Sequence, residues 1–203
     1  LSKFDAVSVR EYHGIDILRT MGIDGTWVLD PVFLLSVDEW KKLMKPMNET
    51  NEPYLLIYDF EGNNELKNFA IKYAKDKGLK MYSISDRAYQ TRYADKHFTK
   101  TGPCEFISLI YHCSAFVSNS FHGTAFSIMF HKPFYVFGRN RHKVNSRMES
   151  LLSMFELSNR YIHSAGDYIG EQISEIDWVK IESMKSRFLN RSETFIQMAL
   201  TES

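Results

Sequence analysis

The amino-acid sequence predicts an α/β fold, a parallel sheet with helices on both faces. Three observations predict it. Short β-rich runs alternate along the chain with stretches of roughly 3.6-residue periodicity. The runs are continuously apolar, as strands covered on both faces are. Polar residues gather at their carboxyl ends, the edge at which open parallel sheets bind ligands.

The candidate strands are residues 4–9, 27–29, 54–58, 81–84, 115–118 and 134–137. Arg10-Glu11, Asp30-Pro31, Asp59, Ser85-Asp86, Asn119-Ser120 and Gly138-Arg139 mark their carboxyl ends. Between strands, Leu66, Phe69, Ala70, Tyr73 and Ala74 form one apolar helical stripe, with Asn63 or Asn64 as cap and Gly78 as stop. Further helices are expected over about 105–113, from Ser120 to near His131, and from 176 to about 200. The stretch 37–53 reads as a connector, with a short amphipathic helix around Trp40 and Leu43 and then a polar run bracketed by Pro46 and Pro53. That places residues 1–46 at the end of an N-terminal Rossmann-like domain with its connector, and 47–203 in a C-terminal Rossmann-like domain closed by the last helix. The chain opens on Leu1 with a strand almost at once, so it is expected to start within a larger protein.

Composition narrows the function. At roughly 150 residues per domain, 203 residues make one domain and a part of another. With 44% apolar residues the chain can build a real core. Twenty-five basic residues balance 25 acidic ones, so no overall field draws it to nucleic acid or an anionic membrane. No apolar run approaches the roughly 20 residues that span a bilayer. The two cysteines, Cys104 and Cys113, cannot form a disulfide framework, and a reduced cytoplasmic setting with both thiols buried is expected. His112-Cys113 with His131 matches no ligand spacing, so no metal is expected. A dinucleotide fingerprint, a phosphate-loop lysine and a nucleophile elbow are all lacking.

The most informative segment runs from Ala115 through Ser120-Phe121-His122-Gly123. Ser120 can cap the following helix, and His122 falls in its first turn, where free N–H groups and the helix dipole favour an anion. Gly123 is expected to let a ligand approach the backbone. The dipole should lower the pKa of His122 and a bound phosphate should raise it, so the ring can exchange a proton as an anionic substrate reacts. A polar residue at a helix start is the plainer alternative. Arg10, directly after an apolar strand, can present its planar fork to a carboxylate or phosphate, or simply pair with Glu11. Arg139, Arg141 and Arg147, with Lys143 and His142, form a basic loop after the sixth strand, suited to phosphate contact or to solvent alone. Asp30, Asp59 and Asp86 read as caps or turn formers, and Trp27, Trp40 and Trp178 as packing residues.

Three blocks of the sequence resemble the polysaccharide pyruvyl transferase family. They are Val7-Ser8-Val9-Arg10-Glu11, the Leu29-Asp30-Pro31 block through Leu35, and the span from Phe106 through Ser120-Phe121-His122-Gly123 to Phe134. A looser match continues through Asn145, Arg147 and Arg160. The resemblance implies two Rossmann-like domains arranged as in GT-B glycosyltransferases, this chain supplying chiefly the second. It implies transfer of a pyruvyl group from phosphoenolpyruvate to a sugar of a cell-surface polysaccharide or its precursor, forming a ketal. No cofactor is implied beyond that donor substrate. Arg10 matches the arginine that holds phosphoenolpyruvate, and His122 the catalytic histidine; from their place on the binding edge, Ser120, Phe121, Gly123, Arg139, Arg141 and Arg147 are expected as further substrate contacts. Many relatives carry Arg-Leu-His where this chain has Ser120-Phe121-His122, so the basic loop after Gly138 is expected to replace the lost arginine. A nucleotide-sugar glycosyltransferase and a non-catalytic glycan-binding domain are the alternatives.

Overall fold

A computed structural model describes residues 3–46, 52–85, 87–139, 145–167 and 175–201. Strands β3 (Tyr54–Tyr58), β4 (Lys80–Ile84), β5 (Lys96–Phe98), β6 (Ala115–Ser118), β7 (Phe134–Phe137) and β8 (Tyr161–Ile162) form one six-stranded sheet. Its order is β5-β4-β3-β6-β7-β8, and every neighbouring pair is parallel. Two short strands, β1 (Ser8–Val9) and β2 (Thr26–Trp27), pair in parallel in a separate sheet. The α/β fold expected from the periodicity is the one observed.

The strand order fixes where a ligand fits. The chain winds outward from β3 to β5, returns to the centre at β6, and winds outward again to β8. Winding reverses between β3 and β6, and parallel sheets open a crevice beyond the carboxyl ends of such a pair. Tyr58 faces Ser118 in the register, so Asp59 and Asn119 leave the sheet side by side. The Asn119 side-chain amide donates to Oδ1 of Asp59 at 2.8 Å.

Side-chain alternation assigns the two faces. Leu55, Ile57, Val117 and Phe137 point toward helix α3 (Asn64–Lys77), which meets them with its Leu66, Phe69, Ala70, Tyr73 and Ala74 stripe. Asn63 caps that helix by accepting from the N–H groups of Glu65 and Leu66, and Gly78 ends it at φ 64°. On the other face, Tyr54, Leu56, Phe116, Phe134 and Val136 pack beneath α4 (Pro103–His112) and α5 (Phe121–Met129). Each large apolar side chain buried in this way stabilises the fold by about 1.5–3 kcal/mol.

The N-terminal part lies against the second layer. Helix α1 (Tyr12–Thr20) follows β1; a 3-10 turn over Pro31–Leu34 and the short helix α2 (Val37–Lys42) follow β2. Beyond β7 come α6 (Ser146–Met154) and the long helix α7 (Trp178–Thr201). Ser192 on α7 accepts the Leu29 N–H at 2.9 Å, and Phe188 packs on Trp27.

Some expectations change. The strand expected over 4–9 is reduced to Ser8–Val9, because its partner β2 is only two residues long. Strands β5 and β8 are added at the two edges. Cys113 is buried, but Cys104 is only half-buried, at the start of α4. The polar run 47–51, Asp86, and Arg141 with His142 and Lys143 lie outside the described residues. Among the described residues, no helix is long and apolar enough to cross a membrane and no cluster of histidine, cysteine and carboxylate groups could hold a metal.

Candidate active site

The site grows from two chain reversals that meet. At the end of β6, Ser118 Oγ accepts the Ser120 N–H at 2.9 Å, and Ser120 Oγ accepts the Gly123 N–H at 3.2 Å, which starts α5. The first-turn N–H groups of Phe121 and His122 are left without intrahelical acceptors. At the end of the β2 segment, Asp30 starts the 3-10 turn in the same way, its Oδ1 accepting the Val32 N–H at 3.0 Å.

The second oxygen of Asp30 organises the charged groups. Arg10 Nη1 donates to Asp30 Oδ2 at 2.5 Å, and His122 Nε2 lies 3.9 Å from the same oxygen. Asp30 is buried, whereas Arg10 is partly exposed and His122 is 53% exposed, so the carboxylate is fixed and its two partners face outward. Phe121, buried beneath them, forms the floor. The guanidinium of Arg10 lies 4.9 Å from its ring centroid and that of Arg147, in the first turn of α6, lies 5.8 Å from it. Each contact is worth about 0.5–2 kcal/mol and holds a cation beside the histidine.

These neighbours set the proton affinity of His122. Burial lowers its pKa below 6.5 and is the largest effect; Asp30 raises it, while Arg10 and Arg147 lower it further. The neutral ring is therefore favoured in the fold. The unfolded chain binds the proton more readily, so stability from this group is fully present above pH 6.5 and is lost as pH falls through the lower folded value. Wild-type protein should accordingly lose melting temperature on acidification more steeply than His122→Gln, as scanning calorimetry across that range would measure.

The structure brings Arg10, Ser120, Phe121, His122 and Arg147 together, and Arg141 lies outside the described residues. Arg139 is turned away: its Nε donates to Glu61 at 3.1 Å and its guanidinium lies 4.9 Å from the Phe60 ring. Among the described residues beyond Gly138, the cation near His122 is Arg147. Gly123 serves packing rather than ligand approach. It is buried, its N–H is taken by Ser120, and a Cβ there would lie 2.6 Å from two carbons of the Phe116 ring. Gly123→Ala should destabilise the protein by about 1–3 kcal/mol, read as a lower melting temperature. Ser120 Oγ serves as the helix cap, and the residue also lines the cavity beside His122.

Sequence reasoning read Asp30 as a cap, which it is, and missed that its second oxygen meets Arg10 and His122. It also missed an aromatic-walled cavity of about 510 Å³ that opens beside His122. A cavity of about 480 Å³ between the N-terminal strands and α7, lined by Asp5, Thr26, Arg191 and Phe195, does not include the histidine.

The fold is similar to that of UDP-GlcNAc 2-epimerase from Neisseria meningitidis bound to UDP-GlcNAc, with a TM-score of 0.52 and 13% identity over 96% of this chain and 55% of that one. E. coli ADP-heptose lipopolysaccharide heptosyltransferase II matches with a TM-score of 0.41 and 11% identity over 82% of this chain and 54% of its own. The chain thus spans just over half the length of these solved proteins. The likeness to the epimerase is one of fold, the Rossmann-like architecture of GT-B-type proteins. No curated protein matches the chain in sequence. The sequence pattern of the polysaccharide pyruvyl transferases matches residues 1–141, a span that holds both Arg10 and His122. Because that span is more than half of the chain, the chain belongs to the polysaccharide pyruvyl transferase family.

Proposed function

We propose that the chain carries the donor-binding and proton-transfer residues of an enzyme that moves a pyruvyl group from phosphoenolpyruvate to two hydroxyls of a glycan sugar. The observation that supports it most is the meeting of Arg10 and His122 on one oxygen of Asp30, with Arg147 beside them. Phosphoenolpyruvate carries a carboxylate and a phosphate. Arg10 spends one of its five N–H donors on Asp30 and keeps the rest for one anion, while Arg147 and the free N–H groups opening α5 suit the other. On this reading residues 1–46 close an N-terminal domain and 47–203 form the second.

The reaction needs two proton movements. The methylene carbon gains a proton and the adjacent carbon becomes electrophilic; one sugar hydroxyl adds there; phosphate leaves; the second hydroxyl closes the ketal. One hydroxyl proton balances the new methyl group and the other leaves with phosphate. On this reading His122 moves them. A neutral ring in the free protein becomes protonated when the dianion arrives, since a nearby phosphate raises its pKa.

Two outcomes test this. At about 100 times its dissociation constant, phosphoenolpyruvate should raise the melting temperature by roughly 5–10 °C. Calorimetric titration in two buffers of different ionisation enthalpy should reveal proton uptake on binding. Stabilisation by UDP- or GDP-sugars and none by phosphoenolpyruvate would overturn the reading in favour of nucleotide-sugar transfer.

A further inference from the structure

Among the described residues, the charged groups beside His122 are Arg10, Asp30 and Arg147, and they lie to one side of it. Its other side opens into the cavity of about 510 Å³, whose wall is a continuous run of rings. Trp40 meets Phe126 at 4.9 Å between centroids, Phe126 meets Phe106 at 6.4 Å, Phe106 meets Tyr58 at 5.1 Å, and Tyr58 meets Phe60 at 4.5 Å. Arg10, Asp30 and Arg147 do not line it. At the mouth Phe60 is 41% exposed, and the Arg139–Glu61 ion pair stands beside it.

We propose that this cavity is the acceptor subsite. The sugar to be modified packs against Tyr58 and Phe106 next to His122, and the following sugar units run over Phe60 toward Arg139 and Glu61. The identity of the reacting sugar rests on the pyruvyl-transfer reading above. A pyranose has a rim of hydroxyls and a face of C–H bonds. The electron-rich face of an aromatic ring attracts those weakly positive C–H groups and loses no hydrogen bond by covering them. A dianion brought against the same rings would lose its hydration and meet no cationic side chain among the described residues that line the cavity. The two halves therefore sort the two substrates by charge, and His122, which borders both, lies where they must meet. At the mouth, the Arg139 guanidinium can donate to sugar hydroxyls and the Glu61 carboxylate can accept from them.

The test uses the protein with an array of neutral microbial surface oligosaccharides, followed by calorimetric titration of the strongest binder. Binding is expected without phosphoenolpyruvate. Phe60→Ala, which removes a ring that is 41% exposed and spares the core, should weaken it about tenfold. Phe60→Trp, which keeps the platform, should hold it within about twofold. Titration of the same variants with phosphoenolpyruvate should give an unchanged affinity in both. Three results would overturn the proposal: no array oligosaccharide bound by the wild type, equal glycan affinity in Phe60→Ala, or UDP rather than a glycan bound with an affinity that Phe60→Ala abolishes. If phosphoenolpyruvate binds no variant while the glycan result holds, the pyruvyl-transfer reading fails and the glycan subsite stands.

Discussion

Replacing His122 with alanine is expected to lower turnover by about 10² to 10⁴, the usual contribution of a positioned acid or base. The fold should survive, because the ring is 53% exposed and its helix is capped by Ser120 rather than by the histidine. Binding and chemistry should separate in the kinetics: phosphate release per enzyme falls, while the phosphoenolpyruvate concentration giving half-maximal rate changes little. Run in deuterated water, the wild-type reaction should place one deuterium in the ketal methyl group. Near-normal turnover in His122→Ala would remove the assignment.

Arg10→Ala is expected to weaken phosphoenolpyruvate about a hundredfold, from the loss of a charge-assisted pair of hydrogen bonds. Arg10→Lys should not restore it, since an ammonium cannot reproduce the planar fork. The variant carries an internal check. Arg10 lowers the pKa of His122 and Asp30 raises it, so removing the guanidinium should raise the histidine value, whereas Asp30→Asn should lower it. A titration of the His122 ring signals in the two variants would measure both directions. Shifts of the same sign would mean that Asp30 is not the group coupling them.

How much of this was legible in the sequence depends on distance along the chain. Strands β3, β6 and β7 and the α3 stripe are local patterns, and each fell where periodicity and caps placed it. Edge strands β5 and β8, three and two residues long, are too short to carry a pattern. Arg10 and His122, which the structure brings to one carboxylate, stood out as candidates because a strand end and a helix start are local features. Asp30 was read correctly as a cap but only in part, because its two oxygens do different work: Oδ1 caps the turn, a local signal, while Oδ2 binds a residue 20 positions earlier. Gly123 misled for a similar reason, since nothing beside it announces the Phe116 ring that needs the space. Arg139 and Arg147 read alike as members of one basic loop, yet one is held by Glu61 and the other reaches Phe121. The aromatic wall was unreadable. Trp40, Tyr58, Phe60, Phe106 and Phe126 come from separate elements, and each alone has the look of a core residue.

The coupling of one imidazole to an incoming dianion can be measured directly by nitrogen NMR of His122 across pH, with and without phosphoenolpyruvate. In the free protein the ring should titrate below 6.5, and the donor should move that value upward. A free value at or above 6.5, or one that phosphoenolpyruvate leaves in place, would contradict a site in which Arg10, Asp30 and His122 act together on the donor.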